Sequence, residues 1–377
     1  MVLALSACGG GGSSPAPLTG WAAIRAAAVP QVALPAEFED PEPQALAVDG
    51  WEDGIFISRD GLHLFAVYVP ADLLSFTLAG ADQNLAASYF RGPTFGMDLT
   101  TNPVGTTNWI HGNIIHASRA NTSARFTQWH LAPMARHTWS EGAPVAQGPS
   151  GGTWDLFVHT TNEHPTDYKA HIALAHGAAL DPAVVGTLLP APVTTNNTED
   201  NPHIERLDAN NLVLFFDSGD RPGATGGLDL WYTTSPDNGT TWATPLPVTS
   251  LNTALDEHQP HLWRDFDDTW WLYFTATNTA DSKLGIFRCQ QTSAGDWNAW
   301  GTPVLVLGAG NTAGVGEPTL TTAGDLSFVV VYEDTVNGTP TNRFDADPWF
   351  MPRRPSAVTR SVAPIVHQLA SAHPVHR

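Results

Sequence analysis

Cysteine is nearly absent from this chain, with two residues among 377. Two cysteines cannot form a disulfide framework, and the spacing of Cys8 and Cys289 matches no metal-binding motif. Cys289 lies in a strand-like run, where we expect it to be a small buried hydrophobic residue.

Basic residues are also scarce. Lys and Arg number 17 against 37 Asp and Glu, which gives a formal net charge of −20. That charge repels a phosphate backbone and leaves no basic stripe, so nucleic acid is not an expected partner. Beyond the N-terminus no run of eighteen apolar residues occurs, which argues against a membrane-spanning helix.

Turn-forming and aromatic residues are abundant by contrast. The chain has 33 Gly, 30 Pro and 14 Trp, while charged residues make up only 14%. Such a composition can bury a large core and still break often into turns, which is typical of an all-β protein. Many all-β folds of this length are single domains.

The N-terminal segment Leu5-Ser6-Ala7-Cys8 resembles the lipobox of bacterial lipoproteins. The resemblance implies that residues 1–8 belong to a signal segment, that Cys8 is lipidated, and that the protein is extracytoplasmic, facing the periplasm or the cell surface. The lipid would anchor it to the outer or cytoplasmic membrane. A basic region is missing, so we expect the true start to lie in a longer leader. Residues 9–35, which begin with Gly and Ser, are predicted to be a flexible linker.

A repeat runs along the rest of the chain. Pro202, Pro260 and Pro318 are each 58 residues apart, and each stands near the start of a predicted strand. An Asp/Gly turn and a second strand rich in aromatic and β-branched residues follow. A fourth copy starts at Glu52, with Gly54 in the position of the proline. A weaker fifth unit has its clearest strand at 154–159.

Sheets of this size bury both faces by packing radially, so the repeat predicts a β-propeller. We predict five blades of four-stranded antiparallel sheets, near residues 49–147, 150–198, 199–251, 252–309 and 310–355. Four and six blades are the alternatives. Phe38–Val48 is expected to supply the outer strand of the last blade and so close the propeller. The domain is predicted to span 36–355, with a C-terminal tail over 356–377.

Several segments resemble known propeller repeats. The runs 57–65, 215–232 and 251–261 resemble the WD-related repeat of the TolB family. Residues 235–242, Ser-Pro-Asp-Asn-Gly-Thr-Thr-Trp, are similar to the Asp-box of sialidases. The resemblance implies a hairpin at the blade periphery in which Asp237 caps the turn and Trp242 packs between sheets. It implies a blade and no particular reaction.

Polar residues at the start of each innermost strand should converge at one end of the propeller axis. The repeat aligns Asp53 with Asn201, Gln259 and Glu317 in one set of equivalent positions. The set before it contains Glu52, Asp200, His258 and Gly316. Two residues further in lie Ile55, His203, His261 and Thr319. Glu257 directly precedes the copy that starts at His258, and Glu199 is the equivalent residue before Asp200.

Three functions compete for these residues. A binding surface for a ligand would use Glu52, Asn201 and Gln259 together with the neighbouring carboxylates. A divalent metal ion, Ca²⁺ with oxygen ligands or Zn²⁺ or Mn²⁺ with imidazoles, would use His203, His258 and His261. Glycoside hydrolysis would use paired carboxylates from Asp53, Asp200, Glu257 and Glu317. A glycan is the expected ligand class, because aromatic side chains suit sugar stacking; an envelope protein is the other expected partner.

Overall fold

The computed structural model describes residues 20–355 apart from residues 49, 70–71, 74–111, 135–139, 149–152, 163–168, 181–183, 185 and 337–338. Within these ranges the regular secondary structure is β-strand apart from one helix of seven residues, α1 (Trp21–Ala27). No helix in this part of the chain is long and apolar enough to cross a membrane. Cys8 and the predicted tail over 356–377 lie outside the described residues.

The strands form five blades, in each of which successive strands are antiparallel neighbours. Two short strands, β1 (Gln31–Val32) and β2 (Glu42–Pro43), precede them. The first blade contains β3 (Trp51–Ile57), β4 (His63–Val69), β5 (Asn113–Ser118) and β6 (His130–Leu131). The second contains β7 (Glu141–Gln147), β8 (Thr153–Thr161), β9 (His171–Ala179) and β10 (Thr187–Leu188). The third contains β11 (Asp200–Arg206), β12 (Leu212–Ser218), β13 (Asp229–Ser235) and β14 (Leu246–Pro247). The fourth contains β15 (Glu257–Arg264), β16 (Trp270–Asn278), β17 (Lys283–Gln290) and β18 (Val304–Gly308). The fifth contains β19 (Gly314–Leu320), β20 (Leu326–Val336) and β21 (Thr339–Met351). The predicted five-bladed propeller is confirmed.

The propeller closes on itself through its N-terminal segment. The innermost strands β3, β7, β11, β15 and β19 contact one another in a cycle. Strand β2 pairs with β21 as the outer strand of the fifth blade, as predicted for Phe38–Val48. A parallel bridge between Ala346 and Trp51 also joins the fifth blade to the first. The first and last blades are therefore held together by backbone as well as side-chain contacts.

Residues 20–35, the part of the predicted linker that the structure describes, contain a helix and a short strand. Strand β1 pairs with β18 and adds a fifth strand to the fourth blade. Arg25 of α1 forms ion pairs of 2.6 Å with Asp345 and Asp347, which are both buried. These ion pairs fix the segment to the fifth blade, because breaking them would remove the Arg25 charge from two buried carboxylates.

One blade boundary differs from the prediction. The first blade was expected to extend to residue 147, but Glu141–Gln147 is the innermost strand of the second blade. The proline that stands at the start of this strand, Pro144, lies 58 residues before Pro202. It continues the spacing of the other copies, so the same repeat marks all of the last four blades.

Large apolar side chains fill the spaces between blades. Trp154 of the second blade packs edge-on against Phe65 of the first, with ring centroids 5.2 Å apart. Burial of one such side chain stabilises the fold by roughly 1.5–3 kcal/mol. Cys289 is 1% exposed, which confirms its predicted place in the core.

Candidate active site at the axial mouth

A β-bulge interrupts the innermost strand of every blade at the same place. One residue in each bulge has left-handed backbone geometry, and the five are Gly54 (φ 56°), Ala143 (42°), Asn201 (48°), Gln259 (55°) and Glu317 (60°). The register of each strand shifts across this residue. A bulge bends the strand and redirects its side chains, and all five residues line the channel along the axis.

The bulges correct the predicted alignment of the first blade by one residue. Gly54 occupies the left-handed position, and Ile55 takes the place of the proline. Asp53 is therefore equivalent to Asp200, rather than to Asn201 as the repeat alignment proposed. The sequence alignment matched Gly54 with the prolines. Gly54 instead corresponds to the residue directly before each proline, where the backbone has a positive φ that glycine adopts without strain.

A pocket of about 340 Å³ opens at the axial mouth and extends between the first and second blades. Its polar lining includes Asp53, Glu141, Thr160, Asp200, Asn201, Gln259 and Glu317. Of the predicted site residues, Asp53, Asp200, Asn201, Gln259 and Glu317 are brought together here. Glu141 and Thr160 were not predicted, because the second-blade copy of the repeat was missed.

The pocket is acidic. Among its described lining residues there is no Lys or Arg, and there is no aromatic side chain either. Several of the tryptophans on which the expectation of sugar stacking relied, Trp154 and Trp263 among them, pack in the core instead.

Two pocket carboxyl groups have strongly perturbed acidity. Burial raises the pKa of Asp53, the hydrogen bond from Trp51 Nε1 at 2.5 Å opposes this rise, and the charge of Asp200 adds to it, so that the pKa is about 7. Burial also raises the pKa of Glu317 well above its usual range, and so do the charges of Asp53 and Asp200. Both groups therefore hold protons at a pH where exposed carboxylates have lost them.

Asp200 has two hydrogen-bond donors that partly offset its burial. Burial raises its pKa, while the backbone N–H of Asn201, 2.8 Å from Oδ1, and the hydroxyl of Thr160 lower it. The charge of Asp200 in turn raises the pKa of Asp53 and Glu317. Neighbouring acids whose environments separate their protonation states are a common arrangement for acid–base chemistry.

Glu317 is fixed by its neighbours in the adjacent blades. The side-chain amide of Gln259 donates to its carboxylate, and its backbone N–H donates to Gln259 Oε1 at 3.1 Å. The backbone of Gly54 also hydrogen-bonds the carboxylate. Gln259 and Glu317 thus form a reciprocal pair that joins the fourth blade to the fifth.

Two predicted acidic residues do not line the pocket. Glu52 and Glu257 are buried and accept hydrogen bonds from the residue four positions earlier, from Val48 N at 2.9 Å and from Thr253 N at 2.7 Å. Glu199 does the same with the Thr195 hydroxyl at 2.6 Å. This repeated contact stabilises the segment that leads into each blade. Because Glu52 and Glu257 have this structural role and do not line the pocket, we exclude Glu257 from the catalytic candidates and Glu52 from the ligand-binding ones.

The predicted histidines are divided between two environments. His203 and His261 line the narrow channel below the pocket, with ring centroids 4.2 Å apart. His258 is buried and lines neither cavity. Burial lowers the pKa of all three, that of His258 to about 4. In the described part of the chain no group of three or more His, Cys, Asp or Glu residues could hold a metal ion, and a divalent cation stays a prediction.

The hairpin between β13 and β14 lies away from the pocket. Asp237 accepts hydrogen bonds from Thr241 N and Oγ1, both at 2.7 Å, and Trp242 Nε1 donates to Gly239 O at 3.0 Å. Trp242 is buried in the core shared with the second blade. These contacts make Asp237 a turn-capping residue; the relation to the sialidase and TolB families stays a prediction.

Several solved structures with a similar fold are glycoside hydrolases. A glycoside hydrolase matches with a TM-score of 0.50 and 10% identity, over 87% of this chain and 93% of its own. An alpha-L-arabinofuranosidase from Podospora anserina, solved in complex with cellotriose, matches with a TM-score of 0.47 and 10% identity, over 83% and 95% of the two chains. An endo-arabinase from Bacteroides thetaiotaomicron matches with a TM-score of 0.48 and 11% identity, over 82% and 95%.

Identities this low show a shared fold and nothing finer. No protein-family description and no curated protein sequence matches the chain.

Proposed function

We propose that this protein is a glycoside hydrolase whose reacting groups are the carboxyl groups of Asp53 and Asp200. The observation that carries the proposal is the convergence of Asp53, Asp200 and Glu317, from three different blades, in one open pocket. Glycoside hydrolysis requires a protonated and an ionised carboxyl group on the two sides of the scissile bond. The pocket offers both states.

Asp200 takes the ionised role in this proposal. Its charge raises the pKa of Asp53, Asp217 and Glu317, as expected for the group of the cluster that loses its proton first. Asp53, with a pKa of about 7, donates a proton to the leaving oxygen. Asp200 supplies the carboxylate that activates water or attacks the anomeric carbon, and Glu317 with Gln259 binds sugar hydroxyl groups.

The charge of the pocket favours neutral glycans. Uronic and sialic acids would place a carboxylate beside Asp53, Asp200 and Glu317, with no Lys or Arg among the described lining to neutralise it. Like charges in a partly buried site repel strongly. Proteins with this fold include an endo-arabinase and an alpha-L-arabinofuranosidase solved with cellotriose, so arabinan and cellotriose are the first substrates to try.

The test is release of reducing sugar from these glycans by the purified protein. We expect hydrolysis of at least one neutral glycan, and a loss of roughly a hundredfold or more in kcat for Asp53→Asn and Asp200→Asn. Asp281→Asn, an exposed position outside the pocket, is the matched control. Binding of a glycan without release of sugar would replace the hydrolase with the glycan-binding function, and hydrolysis that survives both substitutions would refute the assigned site.

We also propose that the protein is anchored to a membrane through Cys8 and acts outside the cytoplasm. The support is the lipobox resemblance. Mass spectrometry of the protein purified from native membranes should find a lipid on Cys8, and Cys8→Ser should move the protein to the soluble fraction. An unmodified Cys8 in membrane-extracted protein would refute the anchor.

A further inference from the structure

A second buried carboxyl group lies directly behind Asp200. Asp217 is the cross-strand partner of Asp200 in the pairing of β11 with β12. It is 1% exposed and does not line the pocket. Directly opposed residues on neighbouring strands have Cβ atoms about 4.5–5.5 Å apart, so two negative charges here repel each other.

Asp217 contacts two of the bulge residues at the mouth. Its Oδ2 accepts hydrogen bonds from Asn201 Nδ2 and from the backbone N–H of Gln259, both at 2.9 Å. Its Oδ1 is buried and has no hydrogen-bond partner among the described residues. The carboxyl group therefore uses one oxygen to join the third blade to the fourth and leaves the other free to carry a proton.

The residues at the position of Asp217 in the other blades show which side chains are sufficient there for folding. The equivalent residues, read from the same strand register, are Val67, Thr160, Thr275 and Val329. In the fourth blade the Thr275 hydroxyl accepts the backbone N–H of Glu317 at 3.1 Å. A hydroxyl thus makes the same link to the next blade that Asp217 makes, without the penalty of burying a carboxylate.

The pair cannot be fully ionised at neutral pH. Burial and then the charge of Asp200 raise the pKa of Asp217 to about 7, against the hydrogen bonds from Gln259 and Asn201. When two carboxyl groups this close titrate together, they release their protons in two separate steps.

We propose that Asp217 is a positioning residue that holds the shared proton of an Asp200–Asp217 pair, so that Asp200 is ionised toward the pocket while Asn201 and Gln259 stay fixed. This role deepens the proposed hydrolase function and rests on it. Asp217 makes no contact with the pocket interior, so it acts on the substrate only through Asp200 and the two bulge residues.

The direct test is a pH titration of the Asp200 side-chain carboxyl by ¹³C NMR. The titration is made in the Asp53→Asn protein, because Asp53 also ionises near pH 7 beside Asp200. There the Asp200 resonance should move in two steps, its own and a second near pH 7 when Asp217 ionises. When Asp217→Thr is added, which keeps a hydroxyl acceptor for Gln259 as in the fourth blade, the step near pH 7 should disappear. Val329→Thr, at the same position in the fifth blade, is the control and should keep both steps.

Absence of the step near pH 7 in the Asp53→Asn protein, or its persistence after Asp217→Thr is added, would overturn the shared proton. Asp217→Asn gives the same test if the threonine variant fails to fold. Thermal unfolding supplies a second readout: relative to the unmodified protein, Asp217→Thr should gain stability as pH rises from about 4 to about 7. The sign follows because the raised folded pKa of Asp217 destabilises the native state over that interval.

Kinetics separate this inference from the hydrolase proposal. With the neutral glycan found to be hydrolysed, Asp217→Thr should lower kcat by about tenfold or more and change KM by less than about threefold. An unchanged kcat would overturn the positioning role. Absence of hydrolysis in the unmodified protein, with the two-step titration present, would refute the hydrolase and support the shared proton.

Discussion

At the scale of single residues, Asp200 determines how the pocket is charged. It has two hydrogen-bond donors, and its negative charge raises the pKa of Asp53 and Glu317. An acid whose pKa is held near 7 by burial and by a neighbouring carboxylate is suited to give up a proton in catalysis. The separation of roles between Asp53 and Asp200 thus depends on the electrostatic interaction between them.

Replacing Asp200 should therefore change the acidity of Asp53. Asp200→Asn removes the neighbouring charge, so the pKa of Asp53 should fall from about 7 toward the ordinary value for an aspartate. Burial still raises it, so the fall should be partial. Carboxyl ¹³C NMR measures this directly, with Asp281→Asn as the variant that should leave Asp53 unchanged. An Asp53 that titrates identically with and without Asp200 would show that the two groups do not interact.

At the scale of the strand, the left-handed bulge places side chains at the propeller axis, and its backbone conformation costs free energy. Four of its five positions are not glycine, and a left-handed conformation costs such a residue roughly 1–2 kcal/mol. Asn201, Gln259 and Glu317 use this conformation to contact the next blade or the pocket. Ala143 makes no side-chain hydrogen bond in return, so its strain is uncompensated.

Ala143→Gly should therefore stabilise the protein, by about 0.5–1 kcal/mol in the free energy of unfolding. Ala146→Gly in the same strand is the matched control. Ala146 is buried and lacks positive φ, so glycine there should destabilise by about 1 kcal/mol. Denaturant titration distinguishes the two, and a loss of stability in both variants would show that the bulge at Ala143 is unstrained.

The spacing of prolines made the blades predictable, because each proline follows the bulge residue in the sequence. The same spacing reaches Pro144 and would have located the second blade and Glu141. The first blade could not be aligned correctly from sequence, because Ile55 stands where the other blades have proline. Gly54 is present for its left-handed backbone conformation, which only the structure shows. Asp217 was not predictable either, because only strand register shows that it faces Asp200.

At the scale of the whole molecule, one arginine joins the blades below the pocket. Arg59, in the turn after β3, donates to the carboxylate of Glu205 and to the carbonyl oxygens of Leu262 at 2.7 Å and Leu320 at 3.1 Å. Gln147 Nε2 also donates to Glu205, at 3.0 Å. These contacts connect all five blades around the channel.

Removing Arg59 should destabilise the whole propeller, because it leaves the buried Glu205 carboxylate without its cation and takes one hydrogen-bond donor from the carbonyl oxygens of Leu262 and Leu320. We expect Arg59→Met to lower the free energy of unfolding by roughly 3 kcal/mol. Arg264→Met removes an exposed ion pair with Asp268 and should cost less than about 0.5 kcal/mol. Equal losses in the two variants, measured by chemical denaturation, would contradict a central role for Arg59.

The central claim, that Asp53 and Asp200 form the acid–base pair of a hydrolase, is tested most directly by the pH dependence of kcat/KM on the hydrolysed glycan. Because Asp53 must be protonated to act as the acid, kcat/KM should fall as pH rises through about 7. Asp53→Asn should lose most of the activity and this alkaline decline together. A decline near pH 7 that persists unchanged in Asp53→Asn would contradict the account.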